Sequence, residues 1–300
     1  MKKRLSTVTI LILCFAMLTA ALCCASAGDA APIAENLSFE TYRGVSFGGV
    51  LKAHAPDGEA LRFEITTRPV KGEIELSDDG SFVYTPAEGK KGRDYFGYRA
   101  VDSQGRRSQE ATVIIRLVKC GSAVMYEDMR GHASEYSAMK LCECGAFTGK
   151  CIGGRYYFEP DELISRGEFL SLCLEVTDAR LLSGVVSTGF TDDADIPAYL
   201  KPYVSTAVLN GVISGKISDG SSVFDADETI SRAEAMVILN NALMLSDVSH
   251  ISPDGELPDW AVQSAANLRA CCIIDGTEDT SDALTRSDCA DMLCAAMLLF

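Results

Sequence analysis

The five residues Ile230-Ser231-Arg232-Ala233-Glu234 are the clearest structural signal in the C-terminal part of this 300-residue chain. A close copy stands at Ile164-Ser165-Arg166-Gly167-Glu168, and a looser one at Leu284-Thr285-Arg286-Ser287-Asp288. A hydroxyl residue followed three positions later by an acid is the pattern of a capping box, so each copy predicts a helix that begins at its arginine. The predicted cap residues are Ser165, Glu168, Ser231, Glu234, Thr285 and Asp288.

Each copy closes a longer repeated segment, in which an acidic start, an apolar helix, a glycine and a loop precede the motif. The glycine lies 17 residues before the arginine in the first two segments, at Gly149 and Gly215, but Gly276 lies only 10 residues before Arg286. A linker at residues 119–125 precedes the repeats. The predicted repeats are residues 126–186, 187–250 and 251–300, of which the third is degenerate. Because their helices are too short to be stable alone, the repeats must bury their apolar stripes against one another.

The motif arginines Arg166, Arg232 and Arg286 take the first helical position. We expect their guanidinium groups to point outward beside the exposed N–H groups at the positive helix end, where a bidentate donor binds carboxylate or phosphate. A single capped arginine is usually only a helix start. Residues 119–300 hold 12 basic residues, however, and three of them fall at this one position. The repetition therefore favours an anion site.

The layout of residues 126–300 resembles the S-layer homology domain, which has three repeats with an ITRAE-like motif. The resemblance implies a helical, pseudo-threefold assembly with grooves between repeats. It also implies non-covalent binding to cell-wall secondary polysaccharide, often with pyruvylated sugars. The same resemblance implies that Arg166 and Arg232 hold the acidic group of the ligand, while shortening of the third repeat weakens the case for Arg286. Asp128 and Asp192 would border the grooves.

Trp260 and Tyr199 both lie 16 residues before a repeat glycine. Trp260 would stack on a sugar, or alternatively pack in the core. The first repeat departs from the motif at Gly167, where the family has alanine, and this substitution is expected to weaken the helix start.

Residues 28–118 are predicted to form a β-sandwich, because short β-rich stretches alternate with turn signals such as Asp78-Asp79-Gly80. The alternation of half-buried strands is expected at Phe82, Tyr84, Tyr95 (with Phe96 on the opposite face) and Tyr98. The predicted strands are residues 45–51, 61–67, 73–76, 81–85, 94–100 and 112–117.

The strings at residues 56–63, 72–76, 79–86 and 92–98 resemble the bacterial cadherin-like, Ig-like modules of surface proteins. In that family such modules serve as spacers or adhesive units, and some bind calcium through an acidic turn. Ala55 and Glu59 replace two of those acids, so we expect no calcium here.

The composition limits the possible partners. The chain has 27 basic and 42 acidic side chains and 47% hydrophobic residues, which is typical of a folded protein. Residues 119–300 alone combine 12 basic with 28 acidic residues, a net charge of −16. Such a charge repels nucleic acid and anionic lipid, so neither is expected as a partner.

The N-terminus carries the pattern of a secretory signal. Lys2-Lys3-Arg4 is a basic start, residues 9–22 are apolar, and Ala25-Ser26-Ala27 predicts cleavage after Ala27. The apolar run is shorter than the ~20 residues of a membrane span, which disfavours the alternative of an uncleaved anchor. Nine cysteines follow residue 118, and Cys142-Glu143-Cys144 lacks the paired spacing of a zinc site.

The sequence thus predicts a multidomain protein, with an all-β Ig-like sandwich followed by a mainly α-helical repeat domain of pseudo-threefold form. The predicted function is a secreted protein of a Gram-positive-type cell envelope, anchored to wall polysaccharide. The alternatives are an adhesin, whose sandwich binds a glycan or protein, and an S-layer structural subunit. The histidines His54, His132 and His250 neighbour no nucleophile motif. We therefore expect no catalysis, cofactor or metal.

Overall fold

The computed structural model describes residues 30–56, 58–218, 220–249, 257–274 and 283–300. The predicted signal at residues 1–27, His250, residues 252–254 and Gly276 lie outside these ranges. The described chain divides into two compact units. One is formed by the residues up to Glu40 with Gly49–Leu117, and the other by Thr41–Gly48 with Val118–Phe300. A short segment from the predicted sandwich therefore belongs to the second unit.

The N-terminal region is a β-sandwich. Its strands are β1 Ile33–Ala34, β2 Leu37–Tyr42, β3 Phe47–Val50, β4 Ala53–His54, β5 Arg62–Thr67, β6 Gly72–Leu76, β7 Ser81–Pro86, β8 Gly92–Val101 and β9 Ala111–Val118. A four-stranded sheet has the order β2-β9-β8-β5, a three-stranded sheet has the order β3-β7-β6, and β1 pairs with β4. The rings of Phe82 on β7 and Phe96 on β8 meet edge to face with centroids 5.4 Å apart, so the two sheets share one core.

On β8, Tyr95 and Phe96 lie on opposite faces, as the sequence predicts. Phe96 and Tyr98 are both fully buried on one face, whereas Tyr95 is 53% exposed. Asp94 is buried with its carboxylate accepting hydrogen bonds from the backbone N–H of Lys71 (2.8 Å) and from the Tyr84 hydroxyl (2.9 Å). Since a buried carboxylate must be hydrogen-bonded, Asp94 has a structural role in joining β7, β8 and the turn before β6.

The second unit contains the helices of the repeats. They are α1 Glu135–Glu143, α2 Arg166–Val176, α3 Lys201–Leu209, α4 Arg232–Leu243, α5 Asp259–Ala270 and α6 Arg286–Ala296, followed by a 3-10 turn at Met297–Leu299. Two β-hairpins occupy the stretches that sequence analysis treated as loops. They are β10 Lys150–Ile152 with β11 Arg155–Tyr157, and β12 Lys216–Ser218 with β13 Ser221–Val223.

The helices pair across the repeats. The second helix of the first repeat, α2, packs against α3 of the second repeat. In the same way α4 packs against α5, and α6 of the third repeat returns to α1 of the first. The helix pairs therefore join the first repeat to the second, the second to the third and the third to the first. Together they bury the apolar stripes in one core.

The three motifs also meet at their centre. Ile230 donates its backbone N–H to the carbonyl of Ile164 (3.1 Å), Ile164 donates to Leu284 (3.0 Å), and Leu284 donates to Ile230 (2.9 Å). All three side chains are buried, with at most 1% exposed. This hub, formed by Ile164, Ile230 and Leu284, closes a ring of main-chain hydrogen bonds that contains one residue from each repeat.

Each motif begins its helix with a complete capping box. Ser231 accepts a hydrogen bond from the N–H of Glu234, whose carboxylate accepts from the N–H of Ser231, and the first and third repeats repeat this geometry. Gly167 is explained by close packing, because a Cβ there would lie 2.6 Å from a methyl of Leu200 and 3.0 Å from the Ala226 carbonyl.

Candidate functional site

The motif arginines do not point outward, and that expectation is wrong. Arg166 is only 7% exposed and Arg286 8%, while the Arg232 side chain is 14% exposed. Each guanidinium forms an ion pair with a carboxylate of another repeat, because the first turn of its helix faces the neighbouring repeat instead of solvent. The pairs are Arg166 Nη1 with Glu234 Oε1 at 3.2 Å, Arg232 Nη2 with Asp288 Oδ2 at 2.9 Å, and Arg286 Nη1 with Glu159 Oε2 at 3.1 Å.

The aspartates at the repeat starts fix the turn before the motif. The carboxylate of Asp192 accepts the backbone N–H groups of Phe224 (3.0 Å) and Asp225 (2.8 Å), and Asp128 makes the equivalent two bonds in the first repeat. Asp225 has a φ of 56°, in the left-handed region. The two hydrogen bonds stabilise this conformation, which non-glycine residues rarely adopt.

A cavity of about 410 Å³ lies where the second repeat meets the two others. Its lining includes Arg166 from the first repeat and Trp260 from the third. The second repeat supplies the loop at residues 211–216 and part of α4, including Glu234 and Asn241. The structure therefore brings Arg166 and Trp260 into one site, together with cap residue Glu234.

Arg166 provides a buried cation with spare donor capacity. Nη1 pairs with Glu234, but Nε is buried and has no hydrogen-bond partner among the described residues. The guanidinium also lies over the Phe224 ring, 5.5 Å from its centroid. Burial lowers the pKa of Arg166, while Glu234 and other nearby acids act in the opposite direction. An arginine stays charged in proteins, so the cavity wall holds a fixed positive charge.

Lys216 is a second cation in the cavity, which the sequence analysis missed. Its Nζ lies 2.8 Å from Glu234 Oε1 and 2.5 Å from Glu228 Oε2. Burial opposes the charge, but hydrogen bonds to these two acids raise the pKa of Lys216 above its usual value. The signal was present in the sequence, since Gly149-Lys150 and Gly215-Lys216 both place a lysine directly after the repeat glycine.

Glu234 stands between the two cations. Burial alone would raise its pKa, but the hydrogen bonds from Lys216 and from the Ser231 backbone, together with Arg166, hold its pKa below the usual range. The carboxylate is therefore ionised at neutral pH. With Arg166 and Lys216 it leaves one net positive charge inside the cavity, in a unit that is otherwise strongly acidic.

Trp260 is exposed, not packed in the core. It is 58% exposed at the start of α5 and forms one wall of the cavity. Tyr199, at the corresponding place in the second repeat, is 65% exposed and lies outside the lining of this cavity. An exposed indole beside a cation offers an apolar face and a polar edge to a ligand such as a sugar.

Other site chemistry is limited in the part of the chain that the structure describes. No group of three or more histidine, cysteine, aspartate or glutamate side chains there is arranged to hold a metal ion. All nine cysteines after residue 118 are free thiols. Among the described helices, none has both the length and the apolarity needed to cross a bilayer.

Comparison with known families identifies two domains. The model of the bacterial cadherin-like domain matches residues 29–119, and that of the S-layer homology domain matches residues 189–236. The second match contains the motif of the second repeat, with Lys216 and Glu234. Both are non-catalytic domain families. No curated protein matches the chain.

Solved structures are similar over about a third of the chain. An endo-fucoidan hydrolase of glycoside hydrolase family 107, MfFcnA9, is 15% identical over 30% of this chain and 16% of its own, with a TM-score of 0.25. The SrpA adhesin of Streptococcus sanguinis is 18% identical over 33% of this chain and 67% of its own, with a TM-score of 0.26. A putative alpha-galactosidase of Bacteroides fragilis is 12% identical over 30% and 18%, with a TM-score of 0.25. Likenesses at this level carry no argument about function.

Proposed function

We propose that this protein, which joins a bacterial cadherin-like domain to an S-layer homology domain, is a secreted surface protein held non-covalently to the cell wall by an acidic polysaccharide. The repeats form the anchor, and the cadherin-like domain is the spacer or displayed module. The family of the matched repeat supports the anchoring role.

The observation that carries the proposal is the buried guanidinium of Arg166. Arg166 lines a cavity whose wall also includes the exposed Trp260, so its guanidinium supplies a fixed positive charge for an anionic sugar. Arg286 differs, because its Nη1 already donates to the carbonyls of Phe158 (2.8 Å) and Glu159 (3.1 Å) as well as to the Glu159 carboxylate. We therefore place the ligand at Arg166, and assign Arg286 to the closure of the ring of repeats.

The same proposal includes a pseudo-threefold arrangement of the repeats. The hydrogen-bond ring of the hub, the closed order of helix pairs and the three arginine–acid pairs between repeats all support it. Such an arrangement makes the site depend on all three repeats, since Arg166, Lys216 and Trp260 come from different ones.

Substitution of Trp260 tests the site assignment with little risk to folding, because the side chain is mostly exposed. Trp260→Ala is expected to weaken co-sedimentation with cell-wall sacculi about fivefold, since a stacked aromatic is worth about 1 kcal/mol. Tyr199→Ala is the matched control, an exposed aromatic at the equivalent position outside the cavity. Equal losses in the two variants would contradict the assignment.

A further inference from the structure

The carboxylate of Glu234 has two separate sets of partners. Its Oε2 accepts the backbone N–H of Ser231 at 3.1 Å, which completes the capping box. Its Oε1 faces the cavity and pairs with Arg166 Nη1 at 3.2 Å and Lys216 Nζ at 2.8 Å. One oxygen therefore caps the helix, while the other occupies the space between the two cations of the cavity.

The capping box does not require this second set of contacts. In the first repeat, Glu168 accepts the N–H of Ser165 at 3.2 Å in the same way. No described lysine or arginine lies within ion-pair distance of Glu168, and it does not line the cavity. The cap acid of the third repeat, Asp288, also pairs with an arginine of another repeat (Arg232 Nη2, 2.9 Å), but of the three cap acids only Glu234 has both an arginine and a lysine within ion-pair distance among the described residues.

We propose that Glu234 is an internal competitor, whose carboxylate occupies the position that the acidic group of the ligand takes, and so sets the affinity of the site. This inference rests on the proposed function of the cavity as an anion site. An incoming carboxylate takes over the contacts that Glu234 Oε1 makes with Lys216 Nζ and Arg166 Nη1. Lys216 is therefore a specificity-determining residue beside Arg166.

The charges define the class of ligand. Two cations and one carboxylate leave a single net positive charge, so the cavity accommodates a sugar with one carboxylate. Glu228, whose side chain is 53% exposed, pairs with Lys216 from the outer side. A doubly charged phosphate would meet repulsion from both Glu234 and Glu228.

The test exploits the fact that Trp260 is the chain's single tryptophan. Its fluorescence is followed while the full chain is titrated with glucuronate, and with glucose as the neutral control. Glu234→Gln keeps the capping box, because glutamine also reaches back to the cap N–H, but removes the charge. We expect it to bind glucuronate about tenfold more tightly than the wild type, since one like charge beside an anion is worth about one pKa unit.

Glu168→Gln is the matched control, because it makes the same change in a capping box outside the cavity, and its affinity for glucuronate should equal that of the wild type. Lys216→Gln is expected to weaken binding about tenfold by the same charge argument. Equal or weaker binding by Glu234→Gln, including no binding by any variant, would overturn the proposal.

Failure of this inference is distinguishable from failure of wall anchoring. If the wild type does not sediment with sacculi but Glu234→Gln still tightens glucuronate binding, the anchoring role fails and the internal competitor stands. If the wild type sediments with sacculi but Glu234→Gln gives no gain, the anchoring role stands and the internal competitor fails.

Discussion

Truncation of Ile230 tests whether the three repeats fold as one unit. Its side chain is fully buried in the hub, and its backbone joins the first and third repeats. Ile230→Ala removes three carbons, which costs about 2.4 kcal/mol at about 0.8 kcal/mol per buried carbon. The cavity left behind adds up to about 2 kcal/mol. We therefore expect a loss of about 2.5–4.5 kcal/mol in the free energy of unfolding.

The assay is urea unfolding, followed by far-UV circular dichroism and by the fluorescence of Trp260. With a slope of about 2 kcal/mol per molar urea, the expected loss lowers the midpoint by about 1–2 M. Trp260 lies in the third repeat and Ile230 in the second, so the tryptophan senses the change only if the repeats unfold together. Ile217→Ala, which truncates a 78% exposed side chain of the same repeat, should change the midpoint by less than about 0.3 M.

A Trp260 transition that stays in place while the helical signal splits into two steps would refute this reasoning. The repeats would then be independent modules, and the hub would not couple them. A coincident shift of both signals would show that one cooperative core supports the site.

Two further predictions concern the second repeat. Gly215 has a φ of 80°, and a Cβ there would lie 2.4 Å from the Phe190 ring, so Gly215→Ala should lower the free energy of unfolding in urea by about 2–3 kcal/mol. Gly211 has a φ of 71° with open space around its Cβ position, so Gly211→Ala should lower the same free energy by about 1 kcal/mol. Equal costs would refute the steric argument. Hydrogen bonds from Lys201 (2.7 Å) and Thr188 lower the pKa of Asp193 in the folded protein to about 2. The ionised carboxylate therefore stabilises the fold at a pH above about 3.9, the pKa of aspartate in the unfolded chain, and this stabilisation is lost as the pH falls through about 2. Asp193→Asn should accordingly lower the melting temperature at pH 7 but not at a pH below 2, and a constant difference across this range would contradict the assignment.

The local signals in the sequence predicted local structure well. The helix starts at Arg166, Arg232 and Arg286 follow from residues three positions apart, and such short-range patterns depend little on the rest of the fold. The strand at Leu37–Tyr42 was missed, although its apolar and polar residues alternate in Leu37-Ser38-Phe39-Glu40.

The partners of the arginines could not be predicted in this way. Arg166 meets Glu234 across 68 positions of sequence, and Arg286 meets Glu159 across 127. A capping motif fixes where a helix begins but not which surface its first residue faces. The outward guanidinium was expected from an isolated helix, whereas in the folded unit the helix start lies against the next repeat.

The cavity illustrates the same limit. Sequence reasoning named Arg166 and Trp260 as ligand residues, but treated Glu234 as a cap and omitted Lys216. A cap residue acquires a second role only when the fold brings cations to its free oxygen, and for Glu234 that requires the first and second repeats to meet. The lysine that follows the repeat glycine in the first two repeats, at Lys150 and Lys216, was the available clue.

Anchoring of the chain to a wall polysaccharide through its repeats can be tested by co-sedimentation. The most direct measurement mixes the purified chain, without the predicted signal at residues 1–27, with sacculi of the producing bacterium before and after acid removal of the attached polymer. We predict co-sedimentation with intact sacculi and its loss after stripping. Sedimentation that survives stripping, or none with intact sacculi, would contradict anchoring through the polysaccharide.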